Sequence, residues 1–317
     1  MKISLITPAK KQSRAGNRTT AVRWARILQS LGHRVRVAVD YDGEDADLMV
    51  ALHAWRSAGA IEAFRDKYPD APLIVALTGT DIYRFQSSDP EITLRSMELA
   101  DALVCLHDLV HQAIPERFAG KLQVIYQSAP PLSRPREPSR RFFDVCVIGH
   151  LREEKDPLRA AFAVRDLPAS SRIRVIHLGK AHDSDWARQG EDEMKRNPRY
   201  IWRGEVPGWA VRKAFVKARL MVLSSIMEGG ANVISEALVA GVPVIASDIP
   251  GSIGLLGDDY PGYYPVGDTA ALSALLRRAE AEPGFLADLT KHCVARATLF
   301  SPEAECERWR TLIERFA

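Results

Sequence analysis

The chain has 317 residues, 46% of them hydrophobic and 26% charged, with a net charge of +3. These are the proportions of a soluble globular protein of about two ordinary domains, and so small a charge does not point to nucleic acid. No apolar run is long enough to span a membrane, and the short one after Lys2 gives way to Pro8 and basic residues, so it reads as a buried strand and not as a secretory signal. The four cysteines, Cys105, Cys146, Cys293 and Cys306, have no paired spacing. Small buried thiols in a reducing cytoplasm are expected, and a zinc site is not.

In chain order, residues 2–7 predict a strand. Residues 20–31 predict a helix with Ala21, Trp24, Ala25, Leu28 and Leu31 on one face, stopped by Gly32. Strands follow at 34–39 and 48–52, part of a helix at 61–67, a strand at 73–77, a helix at 92–99, and strands at 102–105 and 124–125. A segment rich in proline and arginine, from Pro130 to Arg141, lacks periodicity and reads as a linker. The alternation then restarts, with strands at 144–149, 173–178, 200–202 and 220–223. Helices are expected at 160–164, at 210–218 and around Glu236. Residues 242–246 form the final strand-like run, and helices are expected at 270–278 and 302–316. Alternating strands and helices imply parallel β-α-β units. The expected architecture is α/β: two Rossmann-like, doubly wound domains facing across a cleft, at 1–128 and 144–301, with a linker at 129–143. Ligands in such sheets sit beyond the carboxyl ends of the strands, so the loops after strands carry the chemistry.

The most informative of these loops runs from Glu228 through Gly229, Gly230, Ala231, Asn232 and Val233 to Glu236. It reads as strand, glycine turn and helix. The N–H groups of a helix start suit a phosphate, whereas two carboxylates suit hydroxyl groups. Phosphate and hydroxyls together suggest a nucleotide sugar. Asn232 also suits an ordinary N-cap. After the strand ending at Gly149, Arg152 and Lys155 stand three apart with Glu153 and Glu154 between them. Such a turn is either a solvated mixed-charge surface or a grip on one diphosphate; beside the Glu228–Glu236 loop, the grip is the stronger reading. The first strand and first helix are joined by a segment holding Lys10, Lys11, Arg14, Gly16, Asn17 and Arg18. Its single glycine fits neither a dinucleotide fingerprint nor a P-loop. It is either a solvated loop or a site for a small anion. Thr78, Gly79, Thr80 and Asp81 form a second such loop. His53 and His107 each follow a strand, where an imidazole is either structural or sugar-binding.

Together these residues resemble the retaining GT4 glycosyltransferases of the GT-B fold, most strongly from Asp144 to Ala246. Glu228 and Glu236 are similar to that family's E-x7-E motif. The resemblance implies that Glu236 holds ribose hydroxyls, that Glu228 meets the donor sugar, and that N–H groups from Gly229 to Val233 contact the donor. It matches Arg152 and Lys155 to the diphosphate pair, which with Glu228 are the catalytic candidates. It sets Arg203, in the turn Arg203-Gly204-Glu205-Val206-Pro207, near the base. It also implies that the final helix, 302–317, packs back on the first domain, which would bind the acceptor.

The first half, in Leu52-His53-Ala54-Trp55-Arg56-Ser57 and Leu77-Thr78-Gly79-Thr80-Asp81-Ile82-Tyr83, resembles the selenosugar synthases of selenoneine biosynthesis. That likeness implies transfer from a UDP-hexose, with N-acetylglucosamine the sugar implied, to selenophosphate. A selenium nucleophile needs little help from a general base. Lys10, Lys11, Arg14 and Arg18 then suit the anionic acceptor, and Arg152 and Lys155 the departing UDP. No metal or other cofactor is expected, since cations and a helix end neutralise the diphosphate. Family likeness implies retention, while attack from the far face inverts. The same residues also fit a GT4 transferase onto a glycan, lipid or small alcohol, a UDP-sugar epimerase, or a non-catalytic sugar-nucleotide binder.

Overall fold

A computed structural model describes residues 1–13 and 16–316. Its contacts divide the chain into two compact units. The first holds residues 1–128, 228–232 and the C-terminal residues from 302; the second holds 129–227 and 233–301. Among the described residues no helix is long and apolar enough to cross a membrane.

In the first unit, strands β1 (Lys2–Ile6), β2 (Arg34–Ala38), β3 (Leu48–Leu52), β4 (Leu73–Leu77), β5 (Ala102–Cys105) and β6 (Leu122–Val124) form one parallel sheet in the order β2-β1-β3-β4-β5-β6. Both faces of the central strands are covered, as parallel sheets require. Met49 and Ala51 join a core with Phe64, Val75, Leu77 and Met97. Leu48, Val50 and Leu52 point the other way and join Trp24, Leu28, Ile74, Val104 and Trp309. The second core is closed by the helix Gly16–Ser30 and the C-terminal helix Pro302–Glu314, whose Trp24 and Trp309 rings meet edge to face at 4.8 Å.

In the second unit, β7 (Phe143–Ile148), β8 (Ile173–Leu178), β9 (Tyr200–Trp202), β10 (Leu220–Leu223), β11 (Val244–Ser247) and β12 (Tyr263–Tyr264) form a second parallel sheet in the order β12-β11-β10-β7-β8-β9. Read from the other edge this is the 3-2-1-4-5-6 order of dinucleotide-binding sheets. The segment before β7 has no regular structure, yet it is tied down within this unit. Arg136 donates to the Gly241 carbonyl and, at 2.7 Å, to that of Ala218, while Glu137 N donates to Val216 O at 2.9 Å.

Several elements differ from the sequence reading. The first helix starts at Gly16, four residues early, so Gly16, Asn17 and Arg18 occupy its first turn and not a loop. Their polarity hid the turn, because the apolar stripe begins only at Ala21. Among the described residues, three of the longer helices were unread. Ser184–Arg196 is dominated by charge, but Asp183 caps it by accepting from Trp186 N, and Gly190 lets it lie against Trp202 and Leu151. Pro250–Leu256 hides behind its glycines, which are buried. Pro283–Arg296 buries Phe285, Leu289 and Cys293. The run at 242–246 is not the final strand: β12 pairs beyond it, with Ala246 opposite Tyr263.

Candidate functional site

In the second unit the crossovers change direction at β7 and β10, the topological switch point of the sheet, and ligand chemistry in such sheets collects beyond the carboxyl ends of those strands. Gly149, Arg152 and Lys155 follow β7, and the loop from Ser224 follows β10. Arg152 is extended and Glu153–Lys155 is a single 3₁₀ turn, which Asp156 ends in the left-handed region at φ 40°. Arg159 holds the Asp156 carboxylate at 2.7 Å and donates to Thr269 Oγ1 at 2.7 Å. Ser224 Oγ donates to the Lys155 and Asp156 carbonyls, and Ile226 N donates to Glu154 O at 2.9 Å, so the two loops are fastened together. Arg152 Nε lies 3.7 Å from Glu154 Oε2, and this nitrogen is buried with no hydrogen-bond partner.

Beside this turn His150 lies close to several cations. The pKa of His150 is held below the ordinary histidine value, first by burial and then by the charges of Arg152 and Lys180. Lys180 was not read from the sequence; it arrives after β8, where its N–H donates to His150 Nδ1 at 3.3 Å. His177 was also missed. It is fully buried, donates from Nε2 to Gly149 O at 3.0 Å and accepts at Nδ1 from Tyr200 Oη at 2.8 Å, which fixes its neutral form. Burial pushes its pKa down to about 4. Gly179 passes so close to the Gly149 carbonyl that no side chain fits there. Arg203, exposed, follows β9, and its N–H donates to His177 O at 2.9 Å. Glu236 is half-buried on the helix Asn232–Val239, between the buried Ser235 and Ala237.

In the first unit the switch point is at β1 and β3. Lys10 and Lys11 follow β1 and are exposed; Arg14 lies outside the described residues. Arg18, half-buried, has an Nε with no hydrogen-bond partner. His53 follows β3 and is buried at φ 76°, a left-handed conformation uncommon for a residue with a side chain. Its Nδ1 accepts from Arg56 N at 3.1 Å, so Nε2 carries the proton and donates to Thr80 Oγ1 at 2.9 Å. Burial lowers its pKa, so it is a neutral group that orients Thr80.

Two sequence candidates have other work. The Asp81 carboxylate is fully buried and accepts from the N–H groups of Ala54, Thr78, Gly79 and Ile82. It shapes the turn after β4 and has no face left for an acceptor. His107 is fully buried, accepts from Leu109 N at 3.3 Å and shares a 3.2 Å contact with Tyr83 Oη. Burial pushes its pKa down to about 4, so it caps a 3₁₀ turn as a neutral ring.

Residues 228–232 belong to this first unit, with Glu228 half-buried and Ala231 buried. A Cβ on Gly229 would overlap the backbone of Thr78 and Gly79, and one on Gly79, at φ 121°, would stand 2.5 Å from Gly229 N. A Cβ on Gly230, at φ 144°, would overlap Leu106. Gly79 and Gly229 are therefore required by backbone lying on backbone, and Gly230 by its φ and the Leu106 side chain against it. Asn232 is not an N-cap but the first helical residue, and its Oδ1 accepts from Arg23 Nη1 at 3.0 Å. Among the described residues no group of three or more His, Cys, Asp or Glu side chains is gathered as metal ligands.

The family model described as "Glycosyl transferases group 1" matches residues 133–298, more than half of the chain. The chain belongs to the group 1 glycosyltransferases. No curated protein matches this glycosyltransferase by sequence. Among solved structures it is similar to Anabaena HepE in complex with UDP and glucose, at TM-score 0.78 and 16% identity over 99% of this chain and 100% of that one. It is also similar to sucrose-phosphate synthase from Thermosynechococcus elongatus, at TM-score 0.79 and 16% identity over 99% and 98%. A glycosyltransferase from Rickettsia africae matches at TM-score 0.76 and 14% identity over 99% and 98%. At these identities the likeness is one of fold. The two parallel six-stranded sheets of this glycosyltransferase are those of the GT-B architecture.

Proposed function

We propose that this group 1 glycosyltransferase transfers a hexosyl group from a UDP-sugar, N-acetylglucosamine in the first place, to selenophosphate, giving a selenosugar for selenoneine biosynthesis. The observation that carries the donor half is the turn bearing Arg152 and Lys155 at the switch point of the second sheet, fastened to the loop that leads into Glu228. Arg152 and Lys155 neutralise the diphosphate, with the N–H groups of the helix start at Asn232. Glu236 takes the ribose hydroxyls and Glu228 the hydroxyls of the hexose. Arg203 and the turn after it lie against the base. That the structurally similar HepE was obtained with UDP supports a uridine nucleotide here.

The acceptor half rests on the likeness of the first unit's loops to the selenosugar synthases. In the step itself a selenium lone pair forms the bond to the anomeric carbon, and the carbon–oxygen bond to UDP breaks, its electron pair leaving with the diphosphate. No proton has to be removed from the nucleophile. Positioning of the anion falls to Lys10, Lys11, Arg14 and Arg18, helped by Gly16, Asn17, Thr78, Gly79 and Thr80. Stabilisation of the leaving group falls to Arg152 and Lys155. The hydrogen bonds that engage both ring nitrogens of His53 and of His107 support a reaction without a general base at those positions. Domain roles follow: residues 1–128 take the acceptor, and residues 144–301 take the nucleotide, after the linker at 129–143.

Mass spectrometry of purified protein with a panel of UDP-sugars, with and without selenophosphate, tests the proposal. The expected result is UDP release and a hexosyl–selenium product only when both are present. Sugar isomerisation without selenophosphate, transfer to a hydroxyl acceptor in its place, or no turnover with any UDP-sugar would refute it.

A further inference from the structure

We infer that Arg23 and Glu305 are positioning residues for the segment 228–232; the inference deepens the donor reading above and rests on it. Each nitrogen group of Arg23 has a separate partner. Nε lies 3.0 Å from Glu305 Oε2, and Nη1 donates to Asn232 Oδ1 at 3.0 Å. The Gln127 amide satisfies both of its ends when its oxygen accepts from Arg23 Nη2 at 3.2 Å and from Thr20 Oγ1 at 2.6 Å. Its nitrogen then donates to Asn232 Oδ1 at 2.8 Å and to the Gly230 carbonyl at 3.2 Å. One planar fork thus reaches the glycine segment twice, directly at Asn232 and through Gln127 at Gly230. A lysine, as a point charge, cannot span these positions.

Glu305 fixes the other end. It is fully buried on the C-terminal helix. Besides Arg23 it accepts from Trp24 Nε1 at 2.7 Å, from Ser128 N at 2.9 Å and from Ser128 Oγ. A buried carboxylate with this many donors holds its partners in one geometry, since each departure leaves charge unmatched in a medium of low polarity. Its anchor is firm, because Trp24 and Trp309 meet edge to face in the same core. The segment at the far end is irregular from Glu228 to Ala231. The network therefore runs from the rigid part of the first unit to the irregular stretch that carries Glu228. Arg23 and Glu305 touch no substrate in this reading; they set where Glu228 and the helix start lie.

The test uses the full chain with Arg23→Lys, which keeps a charge beside Glu305, and Glu305→Gln, which keeps the shape. Hydrogen exchange is followed in peptides covering 227–233 and in peptides from both tryptophan helices. In each variant the 227–233 peptide should exchange on the order of tenfold faster, the scale of one lost charge-assisted hydrogen bond, while the tryptophan helices stay at the wild-type rate. Calorimetry should show UDP-N-acetylglucosamine weakened by a similar factor and UDP weakened less, because the displaced carboxylate is the one assigned to the hexose. Unchanged exchange at 227–233 in both variants overturns the inference. So does faster exchange spread evenly over the tryptophan helices, which marks a merely structural role. Wild-type protein that binds no UDP-sugar defeats the donor reading instead, and the exchange comparison still decides the positioning.

Discussion

Replacing Gly229 by alanine is a sharp local perturbation next to Glu228. The added Cβ would lie well inside 3.0 Å of the Gly79 nitrogen and the Thr78 carbonyl carbon, a separation that real Cβ atoms essentially never show. Both neighbours are backbone, and the Thr78–Gly79 turn is locked by the buried Asp81 carboxylate, so the turn cannot yield cheaply. Overpacking of this kind costs about 1–3 kcal/mol. The movement that relieves it falls on the segment carrying Glu228, and a shift of about 1 Å at a reacting centre costs on the order of 100-fold in rate. Gly59→Ala is the control: a Cβ there meets nothing within 4 Å, and the residue is exposed in the helix Ala58–Lys67. It should be neutral or stabilising by up to about 1 kcal/mol. Melting temperature and donor-dependent UDP release, measured on both variants, separate the effects. A Gly229→Ala protein with the wild-type melting temperature and kcat/KM would refute the argument from close backbone approach.

Further outcomes follow from the same geometry. Glu236→Ala and Arg152→Ala should each weaken UDP binding about tenfold or more in calorimetric titration, the scale of one charge-assisted hydrogen bond; unchanged affinity in both removes the donor assignment. Lys10→Ala combined with Lys11→Ala should raise KM for the anionic acceptor much more than KM for the UDP-sugar, and equal effects in initial-rate kinetics would dismiss these lysines as an anion site. Burial holds His107 and His177 at about 4, below the unfolded value of 6.5, so the unfolded chain binds more protons between those limits. Their stabilising contribution is complete above about pH 6.5 and falls with pH, by about 2 kcal/mol each at pH 5. Urea midpoints should therefore drop from pH 7.5 to pH 5, and drop less in His107→Gln; an equal drop in that variant counts against the assignment. Cys105, Cys146 and Cys293 are buried and their thiols are pushed up by burial, whereas Cys306 is half-exposed. A thiol reagent should titrate one cysteine in the native protein and four after denaturation.

The sequence by itself determined the alternation of strands and helices, because a strand buried on both faces must be an apolar run and a helix must carry a stripe. The same logic exposed the Glu228–Glu236 loop and the Arg152–Lys155 turn, whose residue types are already unusual together. It could not tell Ser184–Arg196 from a solvated loop, since that helix is held by a cap and a close-packed glycine and has no broad apolar face. Tertiary structure alone decided what the polar candidates do. Asp81 became the anchor of a turn because four N–H groups converge on it, and Gly229 and Gly230 became points of close approach because another loop passes there. Arg23 and Asn232, 209 positions apart, became partners only on folding. Hydrogen bonds and steric contacts depend on which chain segments meet, and local composition does not record that.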